Sequence, residues 1–189
     1  GAYGPSYLEI PRDVLDREIP VDSAIIPKPG AYRSSVASIG DPADIEKLAD
    51  ILVSAERPAV LLGQQVWASQ GHNAAISFIR SLDIPAYMNG ASRGMLPQGD
   101  PHHFDRTRGD AFKNADVILI VGTPFDFRMG YGKRISKDAT LIQIDQSYST
   151  VGKNRDISLG LTGDPGAILA AVEQAASGRS DNGARSARQ

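Results

Sequence analysis

The sequence contains no cysteine. A disulfide framework, a thiolate zinc site and a cysteine nucleophile are therefore all excluded. There is no excess of either charge: 20 basic residues face 22 acidic ones, for a net charge of −2. That balance gives no electrostatic reason to expect nucleic acid or an anionic membrane as partner. No apolar run approaches the roughly 20 residues of a membrane span, and Gly1–Ile10 lacks the basic-then-apolar pattern of a secretion signal. What is present suits an ordinary globular chain: 189 residues, 41% apolar and 22% charged. That is enough for one sizeable α/β core. The expectation is a cytoplasmic domain without nucleic-acid or membrane partners.

The two ends differ from the middle. Tyr7–Ile10 is a short strand-like run between Pro5 and Pro11. Residues 17–40 carry Pro20, Pro27, Pro29, Gly30 and Gly40 without a sustained period, which is linker chemistry. A lone strand is unstable, so residues 7–10 are expected to pair with something outside this domain. The stretch 178–189 has no large apolar residue and reads as a linker or disordered tail.

Between them the pattern alternates helix and strand. Gly-Asp-Pro occurs at 40–42, 99–101 and 163–165. Aspartate can accept the free N–H groups of a first helical turn, and proline loses nothing at the next position. After Asp41 the stripe Ile45, Leu48, Ala49, Leu52 predicts a helix, as does Ile168, Leu169, Val172, Ala176 after Asp164. Helical spacing also marks Ala74–Leu82 and Arg106–Asn114. Short continuous apolar runs predict buried strands at Ala59–Leu62, Pro85–Met88, Val117–Val121, Leu141–Ile144 and Ser158–Leu161. The reading is a three-layer α/β/α Rossmann-like domain over residues 41–177, with an open, mainly parallel sheet of about six strands.

Ligands of such sheets bind outside the carboxyl ends of the strands. Those ends carry Gly63-Gln64, Asn89-Gly90, Gly122-Thr123, Asp145 and Gly163-Asp164, a set rich in glycine, amide and carboxylate. Together they favour a nucleotide-type crevice. An NAD fingerprint fails, because Gln65 stands where the second glycine belongs and Asn89 replaces the ribose-binding acid. The P-loop pattern is absent too. Gly90-Ala91-Ser92-Arg93-Gly94 matches a nucleophile elbow, yet Pro97, Gly99 and Pro101 follow instead of a helix, and no histidine lies beyond His103. His102-His103 has no third ligand at metal-site spacing, so both are read as surface loop residues, and His72 falls in a helix start. After the third strand, Phe125–Gly132 places Arg128 where a guanidinium can hold phosphate or stack on a ring, or else pair with Asp126.

Over roughly residues 4–176 the chain resembles the central domain of thiamine diphosphate-dependent enzymes, of the acetolactate synthase and 2-hydroxyacyl-CoA or oxalyl-CoA lyase kind. The resemblance rests on Gly4–Leu15, Arg57–Gly63, Arg93–Pro97, Val121–Arg128, Leu141–Asp145, Gly152–Arg155 and Gly163-Asp164. It implies that residues 1–16 are the exit of a preceding pyrimidine-binding domain. It also implies that thiamine diphosphate and Mg²⁺ belong to the two outer domains of a homo-oligomeric parent, since no Gly-Asp here is followed by glycine. No catalytic or metal-binding residue is then assigned to this chain. In such families the central crevice holds FAD, holds an ADP-like nucleotide, or stays empty. The residues matching that crevice are Gly63, Gln64, Gly122, Thr123, Arg128, Asp145 and Asp164. The chain departs from the FAD pattern at its first turn, where Gln64 and Gln65 replace glycines and obstruct close backbone approach. Two other readings stand beside the first: a free-standing nucleotide-binding module, and a spacer with an empty crevice.

Overall fold

The computed structural model describes residues 4–28, 30–32 and 36–179. They fall into two compact units divided after Val36. The first holds one helical turn, α1 (Arg12–Leu15), and a 3₁₀ turn at Val21–Ser23, with no buried residue in either. Tyr7–Ile10, expected as a strand, forms none. Tyr7 and Leu8 are 87% and 80% exposed. A lone extended segment has no ladder partner for any of its backbone groups, and no strand among the described residues pairs with it. The predicted tail from residue 180 onward lies outside the described residues.

The second unit is an open sheet of five parallel strands. These are β1 (Pro58–Leu62), β2 (Ala86–Met88), β3 (Val117–Val121), β4 (Thr140–Asp145) and β5 (Leu159–Thr162). Their order is β2-β1-β3-β4-β5, and the register pairs Leu62 with Val121 and Val121 with Ile144. Each apolar run is a strand because both its faces are covered: β1 and β3 are buried at every residue. The sheet has five strands where about six were expected, with one isolated bridge added at its edge. His103 bridges Ala86 on the outer edge of β2, with Ala86 N–H donating to His102 and Phe104 N–H donating to Ala86. Pro97 and Pro101 remove donors just before it, so the ladder cannot extend.

Five helices complete the unit: α2 (Pro42–Ser54), α3 (Gln64–Ala68), α4 (His72–Ser81), α5 (Arg108–Asn114) and α6 (Pro165–Ala176). Two of the three Gly-Asp-Pro triplets begin helices as expected. Asp41 accepts from Ala43 N–H at 2.8 Å, and Asp164 accepts from Ala167 N–H at 2.9 Å. Alternate strand residues face opposite layers. Val60, Leu62, Leu119, Val121 and Ile142 pack with the apolar stripes of α2, α4 and α6. Ala59, Leu61, Ile118 and Ile120 pack with Phe112 of α5 and with Phe125 and Met129. One layer is thus formed by three helices, and the other is built from a single short helix and a turn.

The third triplet turns instead of starting a helix. Asp100 accepts from His102 N–H at 3.0 Å and from Arg80 at 2.8 Å. The Arg80 hydrogen bond, with that of the His102 backbone, lowers its pKa to about 2. His102 is no surface residue: its ring nitrogens stand 3.1 Å from Asp100 and 2.9 Å from Asp83, and its side chain is 14% exposed. The two histidines clasp the loop that carries the β2 edge bridge. Among the described residues, no three His, Asp or Glu groups are placed to hold a metal ion.

Candidate functional site

The sheet order reverses direction at β1 and β3, so the switch-point crevice lies beyond their carboxyl ends. The structure brings most of the predicted residues there. Gln64, Thr123 and Arg128 line one small cavity of about 50 Å³ with Asn89, Gly90, Pro124 and Asp126. Gly63 and Gly122 press against each other behind it. A Cβ on Gly63 would stand 2.3 Å from the Gly122 carbonyl oxygen and 1.8 Å from Thr123 Oγ1. Asp145 ends β4 on the far side of the same crevice. Asp164 is not among the lining residues; its carboxylate caps α6.

Arg128 reaches solvent but is already paired. Its Nη2 and Nε lie 3.1 Å from Asp126 Oδ2, and its guanidinium sits 5.4 Å from the centre of the Phe127 ring. The local ion pair, one of the two roles the sequence left open, is therefore formed. The turn bearing it is anchored from a distance by the Gly152–Arg155 motif. Asn154 donates to the Phe125 carbonyl at 3.0 Å, and Gly152 N–H donates to Gln143 Oε1 at 2.9 Å. Arg155 packs on Gly132, where a Cβ would stand 3.0 Å from Arg155 Cγ and where a φ of +73° also favours glycine. That motif is structural.

Backbone donors at the strand ends are engaged within the fold. Gly63 N–H donates to Val121 at 2.7 Å, Gly122 N–H to Ile144 at 2.8 Å, and Asn89 N–H to Leu62 at 2.8 Å. The Gly63 carbonyl accepts from Val66 N–H and from the fully buried Ser92 hydroxyl. Ser92 is thus a clamp between β1 and the 3₁₀ turn Gly90–Ser92, consistent with rejecting a nucleophile elbow. The short helix α3 went unrecognised in the sequence, because a single buried residue, Val66, leaves no periodic stripe.

Gln65 occupies the centre of this arrangement. Its Nε2 donates to Asp145 Oδ1 at 3.1 Å, and its Oε1 accepts from Gln146 N–H at 2.9 Å. Asp145 is wholly buried; Oδ1 also accepts from Ser147 N–H at 2.8 Å, while Oδ2 has no partner. Burial raises its pKa above the usual carboxylate range. The protonated form is therefore favoured by folding, and Asp145 costs stability as pH rises from about 4, its unfolded value, through its higher folded value. Asp145→Asn removes that pH-dependent cost. In thermal melts the difference between variant and parent chain is expected to grow in the variant's favour from pH 4 to pH 8. A difference that stays constant with pH would contradict a buried, reluctant carboxylate.

The comparisons with known proteins agree with this fold. Residues 45–172 match the family model described as thiamine pyrophosphate enzyme, central domain. The chain belongs to that family. It is 35% identical over 156 residues to an acetolactate synthase large subunit of Mycobacterium tuberculosis, covering 82% of this chain and 28% of the relative. It is 31% identical over 139 residues to 2-hydroxyacyl-CoA lyase 2 of Danio rerio, covering 71% and 22%. Oxalyl-CoA decarboxylase of Escherichia coli is 29% identical over 165 residues, covering 87% and 29%. Benzoylformate decarboxylase of Polynucleobacter necessarius shares the fold with a TM-score of 0.64 at 19% identity, over 86% of this chain and 32% of that one. The chain thus spans less than a third of the length of these relatives.

For a flavin or adenine nucleotide, one of the alternatives the resemblance leaves for the central-domain crevice, the cavity at the switch point is small. Ligand pockets measure roughly 300–1,000 Å³, whereas about 50 Å³ admits only a few waters. The Gly63, Gly122 and Asn89 N–H groups are engaged within the fold, and the exposed Arg128 pairs with Asp126. A larger groove of about 520 Å³ opens at the other end of β1, beside α5. None of the predicted crevice residues lines it.

Proposed function

We propose that this chain is the bracing central domain of a thiamine diphosphate-dependent enzyme that acts on 2-oxo acids or 2-hydroxyacyl compounds. The family membership and the identity to acetolactate synthase, oxalyl-CoA decarboxylase and 2-hydroxyacyl-CoA lyase relatives support this reading. The observation that carries the bracing role is the closed switch point. Strand ends locked glycine to glycine supply rigid placement to neighbouring domains, without an exposed reacting group. Thiamine diphosphate and Mg²⁺ are held by the other two domains of the parent, where the cofactor supplies the carbanion chemistry. Residues 1–16 are the exit of the preceding domain, with 17–40 and 178–189 as linkers. The parent is a cytoplasmic homo-oligomer.

The test is turnover. The 189-residue chain, given pyruvate, thiamine diphosphate and Mg²⁺, is expected to release no carbon dioxide above a protein-free control. Sustained release by this chain would overturn the assignment of chemistry to the outer domains.

A further inference from the structure

The contacts of Gln65 are those expected of a ligand. In open α/β sheets, an acidic residue at a strand end accepts from a sugar hydroxyl, and nearby backbone N–H groups meet the ligand's acceptors. Here Asp145 Oδ1 and the Gln146 N–H are such a pair, and one carboxamide serves both, donating at 3.1 Å and accepting at 2.9 Å. The second carboxylate oxygen of the same residue, Asp145 Oδ2, is buried and has no partner. The carboxamide donates only to Oδ1, so the site holds an acceptor that its present occupant leaves unsatisfied. Gln65 also crowds the end of β3: a Cβ on Gly122 would stand 2.7 Å from Gln65 Cβ and 3.3 Å from its Cα and backbone N.

We propose that Gln65 is a built-in occupant of the nucleotide crevice, a specificity residue that keeps FAD and ADP-like nucleotides out of this central domain. The inference rests on the family reading of the crevice, and it assigns the exclusion to Gln65, not to Gln64. Gln64 is exposed at the mouth, whereas Gln65 reaches inward to β4. A nucleotide must first displace the carboxamide from both partners. Its apparent affinity falls by the fraction of molecules in which that has happened. Removing the side chain vacates one acceptor, Asp145 Oδ1, and one donor, the Gln146 N–H, next to the already unpartnered Asp145 Oδ2, a set suited to hydroxyl and amino groups.

Calorimetric titration of FAD and of ADP into the wild-type chain, Gln65→Ala and Gln64→Ala tests this. Gln65→Ala is expected to bind at least one of the two about 10-fold or more tightly than wild type, a difference of about 1.4 kcal/mol. Gln64→Ala is expected to match wild type. Circular dichroism melts verify that each variant folds. If Gln65→Ala does not fold, Gln65→Gly, which also frees the backbone, carries the same expectation. Equal affinity of wild type and the Gln65 variant, including no binding by either, would overturn the proposal. So would a gain in Gln64→Ala of the same size. Failure here is a binding result and leaves the turnover test of the bracing role untouched, so the two readings fail separately.

Discussion

Gly63→Ala is expected to lower the melting temperature by roughly 10 °C, equivalent to about 3 kcal/mol for a domain of this size. The backbone at Gly63 is extended, with φ −111° and ψ −179°, so an alanine meets no conformational penalty there. The cost is steric. Its Cβ would lie 1.8 Å from Thr123 Oγ1, 2.3 Å from the Gly122 oxygen and 2.7 Å from the Gly122 carbonyl carbon. The Thr123 hydroxyl can rotate away, but the carbonyl belongs to backbone that the β1–β3 and β3–β4 ladders fix. Relief therefore requires the central strands to separate at their carboxyl ends. Gly109 is the matched control. A Cβ there meets nothing within 4 Å, and in the first turn of α5 alanine is neutral or mildly stabilising. Thermal and urea melts of the two variants decide the matter; equal stability would mean that the switch point is looser than its glycine contacts indicate.

Phe78→Ala is expected to cost about 3–5 kcal/mol, as for other fully buried phenylalanines. Phe78 is 0% exposed, on the face of α4 that joins the larger core with Val60, Leu119 and Val172. The loss is a large share of the roughly 5–15 kcal/mol that holds most domains folded. Urea unfolding at constant slope measures it. Phe127→Ala is the comparison, because that ring is 71% exposed and its removal is expected to stay within about 0.5 kcal/mol. A small effect at Phe78 would show that the layer of α2, α4 and α6 can collapse into the space.

Much of this fold was legible residue by residue. Val117–Val121 and the run at 59–62 are continuous apolar stretches, 141–144 is one interrupted only by Gln143, all are too short for helices, and each lies within a central strand. Asp41 and Asp164 announced helix starts because a carboxylate followed by proline matches the unpaired donors of a first turn. Local chemistry of this kind acts over three or four residues, so sequence reveals it. Asp100, in the same triplet, turned away from helix once Arg80 and the His102 backbone claimed its oxygens. Those partners lie 20 and 2 residues away, and the nearer bond alone would not have distinguished a turn from a cap. Tyr7–Ile10 shows the converse: strand propensity without a neighbouring strand makes no strand.

The candidate site divides along the same line. Gly63, Gly122 and Asp145 were placed correctly at strand ends by the βαβ pattern, and Gln64, Thr123 and Arg128 do meet around one cavity. Asp164 was placed at the correct strand end, yet its side chain turns to its own helix. No local pattern marked the state of the crevice. Gln65 bonds to Asp145 and Gln146 across 80 and 81 residues, and Ser92 clamps Gly63 across 29. Without a cysteine or an excess of charge, the sequence by itself determined a near-neutral α/β core with glycine, amide and carboxylate residues at its strand ends. Only the tertiary structure decided that those ends close on one another, because contacts between distant residues form after the strands have paired.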